Sequence, residues 1–460
     1  MTTEEEPAYA VEPEPIGGPV DPVRARRRRR LAAAIGVIVI AAVGLAVAIS
    51  VVGRLGRPAT PGVRIALVDP DGALVIVDSQ GANRVVHAVQ GTTFSFPAWA
   101  PDATRVAAIT NGGDGAAIEV FAADATEPSP ADGTVLYRSE SSRPFYLYWT
   151  PDGTAVSFLT QEDSSLALRS APADGSAGAT TLRQGAPMYW AWEAPGRMLV
   201  HTGGDAKAFL GAVGADGSTV STVAAVPGVF RAPSVSADGR YEAYAVAPPG
   251  AGAAVVVAAS DGSTSFDVPV FGPAAIGFAP SGPQLAFIGA RKEDRPVPLP
   301  FGPLRVIDAG TGVVRQLLGG EVVSFFWSPD GRTIATIGVA DEANPGPAAG
   351  TARLAAVRSD EPAMEPTVDA TGVDVSLVFV DVASGKATRA QIVHLSPLFV
   401  NQVLPYFDQY ALSHRVWAPD ASAILLPVIA DDGAESLAVL PADGSAPRTL
   451  APGSMGFWSP

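Results

Sequence analysis

Trp327-Ser328-Pro329-Asp330-Gly331 is the stretch whose reading decides the fold. Proline pre-sets φ for the second turn position. Aspartate bonds nearby backbone amides, and glycine takes the positive φ that closes a tight hairpin. The tryptophan ends one strand and is large enough to pack between neighbouring sheets. An apolar strand, 334–337, follows the turn. The unit recurs with its first position at Trp99, Trp149, Trp192, Val235, Phe278, Trp327, Trp417 and Trp458, at spacings of 50, 43, 43, 43, 49, 90 and 41 residues. A second strand with a D-G or S-G turn follows most copies, and a third closes the unit. With the strand that carries the tryptophan, each repeat holds four strands, which is one propeller blade.

The fold class expected is therefore all-β: a single β-propeller of about eight four-stranded blades. Seven is the count if the weak copy at Val235 does not stand as its own blade. The last copy, Trp458-Ser459-Pro460, supplies only a first strand. Segments 64–68, 74–78 and 84–89 are the three strands that would complete it, so the N- and C-terminal strands are expected to share one blade. Such closure removes exposed sheet edges.

The W-S-P-D-G turn followed by an apolar strand resembles the TolB-type, WD40-like repeat family, over roughly residues 63–460. The resemblance implies a propeller fold and an affinity for envelope partners. Similar blades occur in prolyl-oligopeptidase-type peptidases. Those need a hydrolase domain with a G-x-S-x-G elbow, and this sequence has none.

Upstream of the repeats, residues 31–52 read LAAAIGVIVIAAVGLAVAISVV, with Ser50 as the single polar side chain. About 20 apolar residues span a bilayer as a helix. Arg24 and Arg26 to Arg30 precede this run, and only Arg54, Arg57 and Arg64 follow closely. The positive-inside rule puts the N-terminus in the cytoplasm and the repeats outside. The competing reading is a cleaved signal peptide, for which the run is long. The expected organisation is a disordered tail with an arginine run (1–30), a transmembrane helix (31–52), a linker (53–62) and the propeller (63–460).

Formal net charge is −15. An acidic surface argues against nucleic acid, which needs a basic stripe. The absence of cysteine excludes disulfides and thiolate chemistry. The four histidines, His87, His201, His394 and His414, form no H-E-x-x-H or H-x-H cluster and read as packing or surface residues. Asp69-Pro70-Asp71-Gly72 and Asp431-Asp432-Gly433 lack the continuation of a calcium loop and read as turns. No catalytic residue, metal or cofactor is assigned.

Strand alternation puts the Pro-Asp-Gly turns on one face of the ring and three long insertions, 290–303, 340–373 and 396–411, on the other. Long loops on a rigid scaffold are where binding resides. The candidate partner-binding residues are Arg291, Lys292, Arg295, Phe399, Tyr406, Phe407 and Tyr410, aromatics being common interface anchors. The alternative for 396–411 is a short helix packing its aromatics on the ring. The leading functional reading is a non-enzymatic scaffold or sensor at the outer face of the cytoplasmic membrane. It would bind a protein, or alternatively a glycan or peptide. The competing readings are a propeller hydrolase or lyase with axial carboxylates, and an accessory subunit of a membrane complex.

Overall fold

The computed structural model describes residues 62–124, 133–203, 208–223, 231–247, 252–292, 299–339, 372–388 and 390–460. The expected membrane span 31–52, the tail before it and most of the 340–373 insertion lie outside the described residues. Among the described residues no helix is long and apolar enough to cross a membrane.

The repeats fold as antiparallel four-stranded sheets, each strand pairing with the next in sequence. Separate sheets of this kind hold residues 93–139, 144–185, 188–222 and 234–270. The weak copy is among them. Its first strand is only Ser234–Val235, held by pairing with Ala243 and Glu242, yet it heads its own sheet. From Ala274 to Pro452 the sheets merge into one of ten strands. The merger has two joins: at one Leu395 pairs with Val428, and the other has a local cause. Strand Val314–Trp327 pairs with Gly302–Asp308 through its first half and with Thr333–Val339 through its second. Gly319 and Gly320 lie between the halves, and Gly320 has φ 99°. A strand that elsewhere would end here turns through two residues without side chains and continues.

The ring closes as the truncated last copy predicts. Strand Met455–Trp458 pairs antiparallel with Arg64–Val68, Ile65 opposite Trp458, and strands Leu74–Asp78 and Val85–His87 complete that sheet. Ser459 reinforces the seam: its Oγ accepts the Arg64 amide at 3.1 Å. Across the closing blade and its neighbour, Ile65, Leu67, Val75, Leu425, Leu437 and Trp458 form one buried apolar cluster. Burying each such side chain contributes about 1.5–3 kcal/mol.

The repeated turn works as its composition requires. In two turns the hydroxyl of Thr150 or Ser236 donates to Oδ1 of the aspartate two residues on, each bond 2.7 Å. The same hydroxyls accept the amides of Ala155 and Tyr241, which open the next strand. These hydroxyl bonds hold the carboxyls of Asp152 and Asp238 below the usual aspartate range. Asp69-Pro70-Asp71-Gly72 is a turn of similar logic, Asp69 Oδ1 accepting the amides of Asp71 and Ala73.

The 396–411 insertion departs from the surface loop expected of it. It forms a π-turn (Phe399–Val403), a 3-10 turn (Leu404–Tyr406) and a short helix, α1 (Phe407–Ser413), which packs against the inner strands of several sheets.

Candidate binding face and the plugged axis

The connection carrying α1 leaves the fourth strand of one blade and must reach the inner strand of the next, so it passes the hole at the centre of the ring. Its aromatics fill that hole. Phe407 meets Phe325 edge-on at 5.2 Å, and Tyr410 stacks on Phe96 at 5.5 Å. Phe399, Phe407 and Tyr410 are 2%, 1% and 6% exposed. This corrects the expectation that they form a surface patch: they are core, as the alternative reading had it. The signal was present in the spacing. Phe399, Val403, Phe407 and Tyr410 are separated by 4, 4 and 3 residues, the apolar stripe of a buried helical face.

Polar groups fix the plug. Gln409 is buried and behaves like a missing strand: its Oε1 accepts the Trp190 amide at 3.0 Å and its Nε2 donates to the Trp190 carbonyl at 2.9 Å. Its Nε2 also donates to the Tyr146 hydroxyl at 3.0 Å. Asp408 accepts two bonds from Arg231, from Nε at 3.1 Å and Nη2 at 2.9 Å, and Arg231 Nη1 donates to the Pro405 carbonyl at 2.7 Å. Burial pushes the Asp408 carboxyl up, against the pull of Arg231. Ser413 Oγ lies 2.6 Å from Nδ1 of His414, whose pKa burial pushes down to about 4. Nothing in the sequence marked Arg231, Gln409 or Tyr146, since their partners lie far away along the chain.

Of the remaining candidates, Tyr406 is 47% exposed, and Arg291 and Lys292 are exposed beyond strand Gln284–Gly289. Arg295 lies outside the described residues. Tyr406 borders a cavity of about 370 Å³ on the insertion-bearing face, between the plug and the blades headed by Pro144–Trp149 and Met188–Ala194. Phe145, Tyr189, Tyr410, Gln161 and Gln402 share its wall, and no charged side chain does. Phe145 is 39% exposed, whereas Tyr189 is 7%. A second hollow, of about 290 Å³, lies at the turn end of the axis beside Phe278, Trp327, Leu412 and Arg415. The carboxylate in its wall is Asp408, already paired with Arg231. Among the described residues no three His, Asp or Glu side chains gather at metal-ligand spacing.

This arrangement of sheets matches solved structures. Dihydro-heme d1 dehydrogenase NirN, in complex with DHE, is similar over 87% of this chain and 77% of its own, at 13% identity and a TM-score of 0.50. The fold is a β-propeller. A eukaryotic initiation factor is similar over 87% of this chain and 98% of its own, at 10% identity and a TM-score of 0.47. TolB from Acinetobacter baumannii is similar over 73% of this chain, at 11% identity and a TM-score of 0.36, and this chain spans 66% of that protein's length. At such identities the likeness is one of fold and carries no activity across. No protein-family model matches the chain. No curated protein matches it either.

Proposed function

We propose that this chain is a non-enzymatic binding propeller of eight four-stranded blades, TolB-like in architecture. Residues 31–52 hold it at the outer face of the cytoplasmic membrane, and it engages a ligand or protein partner through its insertion-bearing face. The observation that carries this reading is the unequal use of the two faces. On the turn face, aspartates such as Asp152 and Asp238 spend their bonding capacity on their own turns. On the other face, Phe145 and Tyr406 stand exposed at the rim of an uncharged cavity. A mostly apolar pocket with a few convergent polar groups is the usual form of a binding site. The blade count is supported by the ten-stranded sheet, which holds two four-strand sets, 274–318 and 322–395, and a three-strand set, 423–452, whose inner position is supplied by the bridge from Trp417 to Ile424. The non-enzymatic reading is supported by an axis filled with side chains, whose carboxylate is neutralised by an arginine.

Photo-crosslinking tests the face. A benzoylphenylalanine at Tyr406 should capture a partner in cells, and the same probe at Val313, on an exposed turn at the opposite face, should not. Equal capture from both positions, or capture from Val313 alone, overturns the assignment. Alkaline extraction tests the anchor: the full chain should stay with the membrane pellet, and a chain lacking 1–57 should leave it.

A further inference from the structure

The chemistry of the insertion-face cavity narrows what it can hold. Its wall combines aromatic rings (Phe145, Tyr189, Tyr406 and Tyr410) with the amides of Gln161 and Gln402. Two of the phenols are more than nine-tenths buried, Tyr189 at 7% and Tyr410 at 6% exposure. Both rings are buried while they line the cavity, so their hydroxyls are placed to meet a ligand or water there. Tyr406 shares the same wall, which brings the three phenols to one cavity.

Charge then excludes classes of ligand. A carboxylate, phosphate or ammonium group entering this cavity would leave water without meeting an opposite charge. Strand-like peptide docking is also disfavoured. It needs free backbone groups along a strand edge, and on the inner strand here the Trp190 amide and carbonyl are already taken by Gln409. What remains is an uncharged molecule with an apolar face for the rings and several hydroxyls for the phenols and amides. The phenols and the Gln402 amide offer both donors and acceptors, which suits hydroxyl groups that do the same, while Gln161, whose Nε2 donates to the Glu162 carbonyl at 2.8 Å, offers its Oε1 as an acceptor. A cavity of about 370 Å³ lies in the usual range for small-ligand sites.

We infer that this cavity is a binding site for a neutral sugar ring, stacked on Tyr406 and Phe145 at the rim and hydrogen-bonded by Tyr189, Tyr410, Gln161 and Gln402. The inference rests on the binding-face reading above and specifies its ligand. The test is calorimetric titration of the full chain in lipid nanodiscs with neutral disaccharides of glucose, galactose, mannose and N-acetylglucosamine at millimolar concentration. Digalacturonate and a proline-rich decapeptide are the competing probes. At least one neutral disaccharide should bind saturably. Tyr406→Ala should weaken it about tenfold or more, and Tyr189→Phe several-fold, with unfolding temperatures unchanged. Digalacturonate should bind about tenfold more weakly than digalactose. The inference is overturned if no neutral disaccharide binds, if both variants bind like the parent, or if the anion or the peptide binds more tightly. A protein captured from Tyr406 alongside a failed titration would overturn the sugar and leave the binding face standing.

Discussion

The repeated tryptophans do more than fill space. Trp99, Trp149, Trp327 and Trp417 each donate their indole N–H to an inner-strand carbonyl of the preceding blade: Phe457, Ala98, Gly277 and Phe326, at 2.9–3.0 Å. Each acceptor stands one residue before that blade's own aromatic position, so the bonds pass the same link from blade to blade. Arg64 and Arg105 cover the rings of Trp99 and Trp149, with guanidinium-to-centroid distances of 5.3 and 5.0 Å. Trp192 and Trp458 are the exceptions, the buried Nε1 of each having no partner among the described residues. Trp149→Phe should therefore cost about 1 kcal/mol more than Trp458→Phe in urea unfolding, since only the first strips a partner from a buried carbonyl. Equal losses would refute the inter-blade link. A second residue-scale prediction concerns turns in which alanine replaces glycine. Ala103 and Ala421 hold φ 58° and 59°, where Gly153, Gly239 and Gly331 hold 68–70°. A left-handed alanine is strained by about 1–2 kcal/mol. Ala103→Gly and Ala421→Gly should each raise the unfolding temperature despite the added freedom of glycine in the unfolded chain. A lowered midpoint would show that the turn is not strained.

At the scale of the element, the plug is held by one ion pair and one amide. Arg231 and Asp408 are both buried, with side-chain exposures of 7% and 0%. Removing one partner strands a charge in the interior. Arg231→Met should destabilise the chain by about 3–5 kcal/mol in urea unfolding, and Arg231→Met combined with Asp408→Leu should recover much of that. Additive losses in the double variant would mean that the pair is not coupled. This is also where legibility in the sequence stops. The Pro-Asp-Gly turns, the four-strand repeat and the closing seam at Trp458 all follow from local rules, since proline, aspartate and glycine act within five residues of themselves. The course of 396–411 depended on a hole that exists only once the ring is assembled. The 4, 4, 3 spacing of its apolar residues marks a buried helical face, but not what that face packs against. Likewise Tyr189 was an unremarkable strand residue until the ring placed it beside Tyr406.

At the scale of the whole molecule, burial of neutral imidazoles ties stability to pH. His201 and His414 are pushed from 6.5 to about 4 by burial. Between those values the unfolded chain takes up protons that the folded chain refuses. Their contribution is therefore fully present above about pH 6.5, declines as pH falls towards 4 and is level below that, by roughly 3 kcal/mol for each. His414→Gln should flatten the fall of unfolding temperature across this window relative to the parent, and an unaltered slope would contradict the assignment. The closing seam has a consequence in time. Ile65 pairs with Trp458, its opposite residue across the seam. A ribosome adding ~5–20 residues per second needs roughly 20–80 s to travel between them. Throughout that interval the first-made blade waits as a raw edge, open to any other unpaired strand in the compartment. The architecture that pairs the two ends of the chain in the finished ring thus makes the nascent chain dependent on whatever shields its beginning until its end arrives.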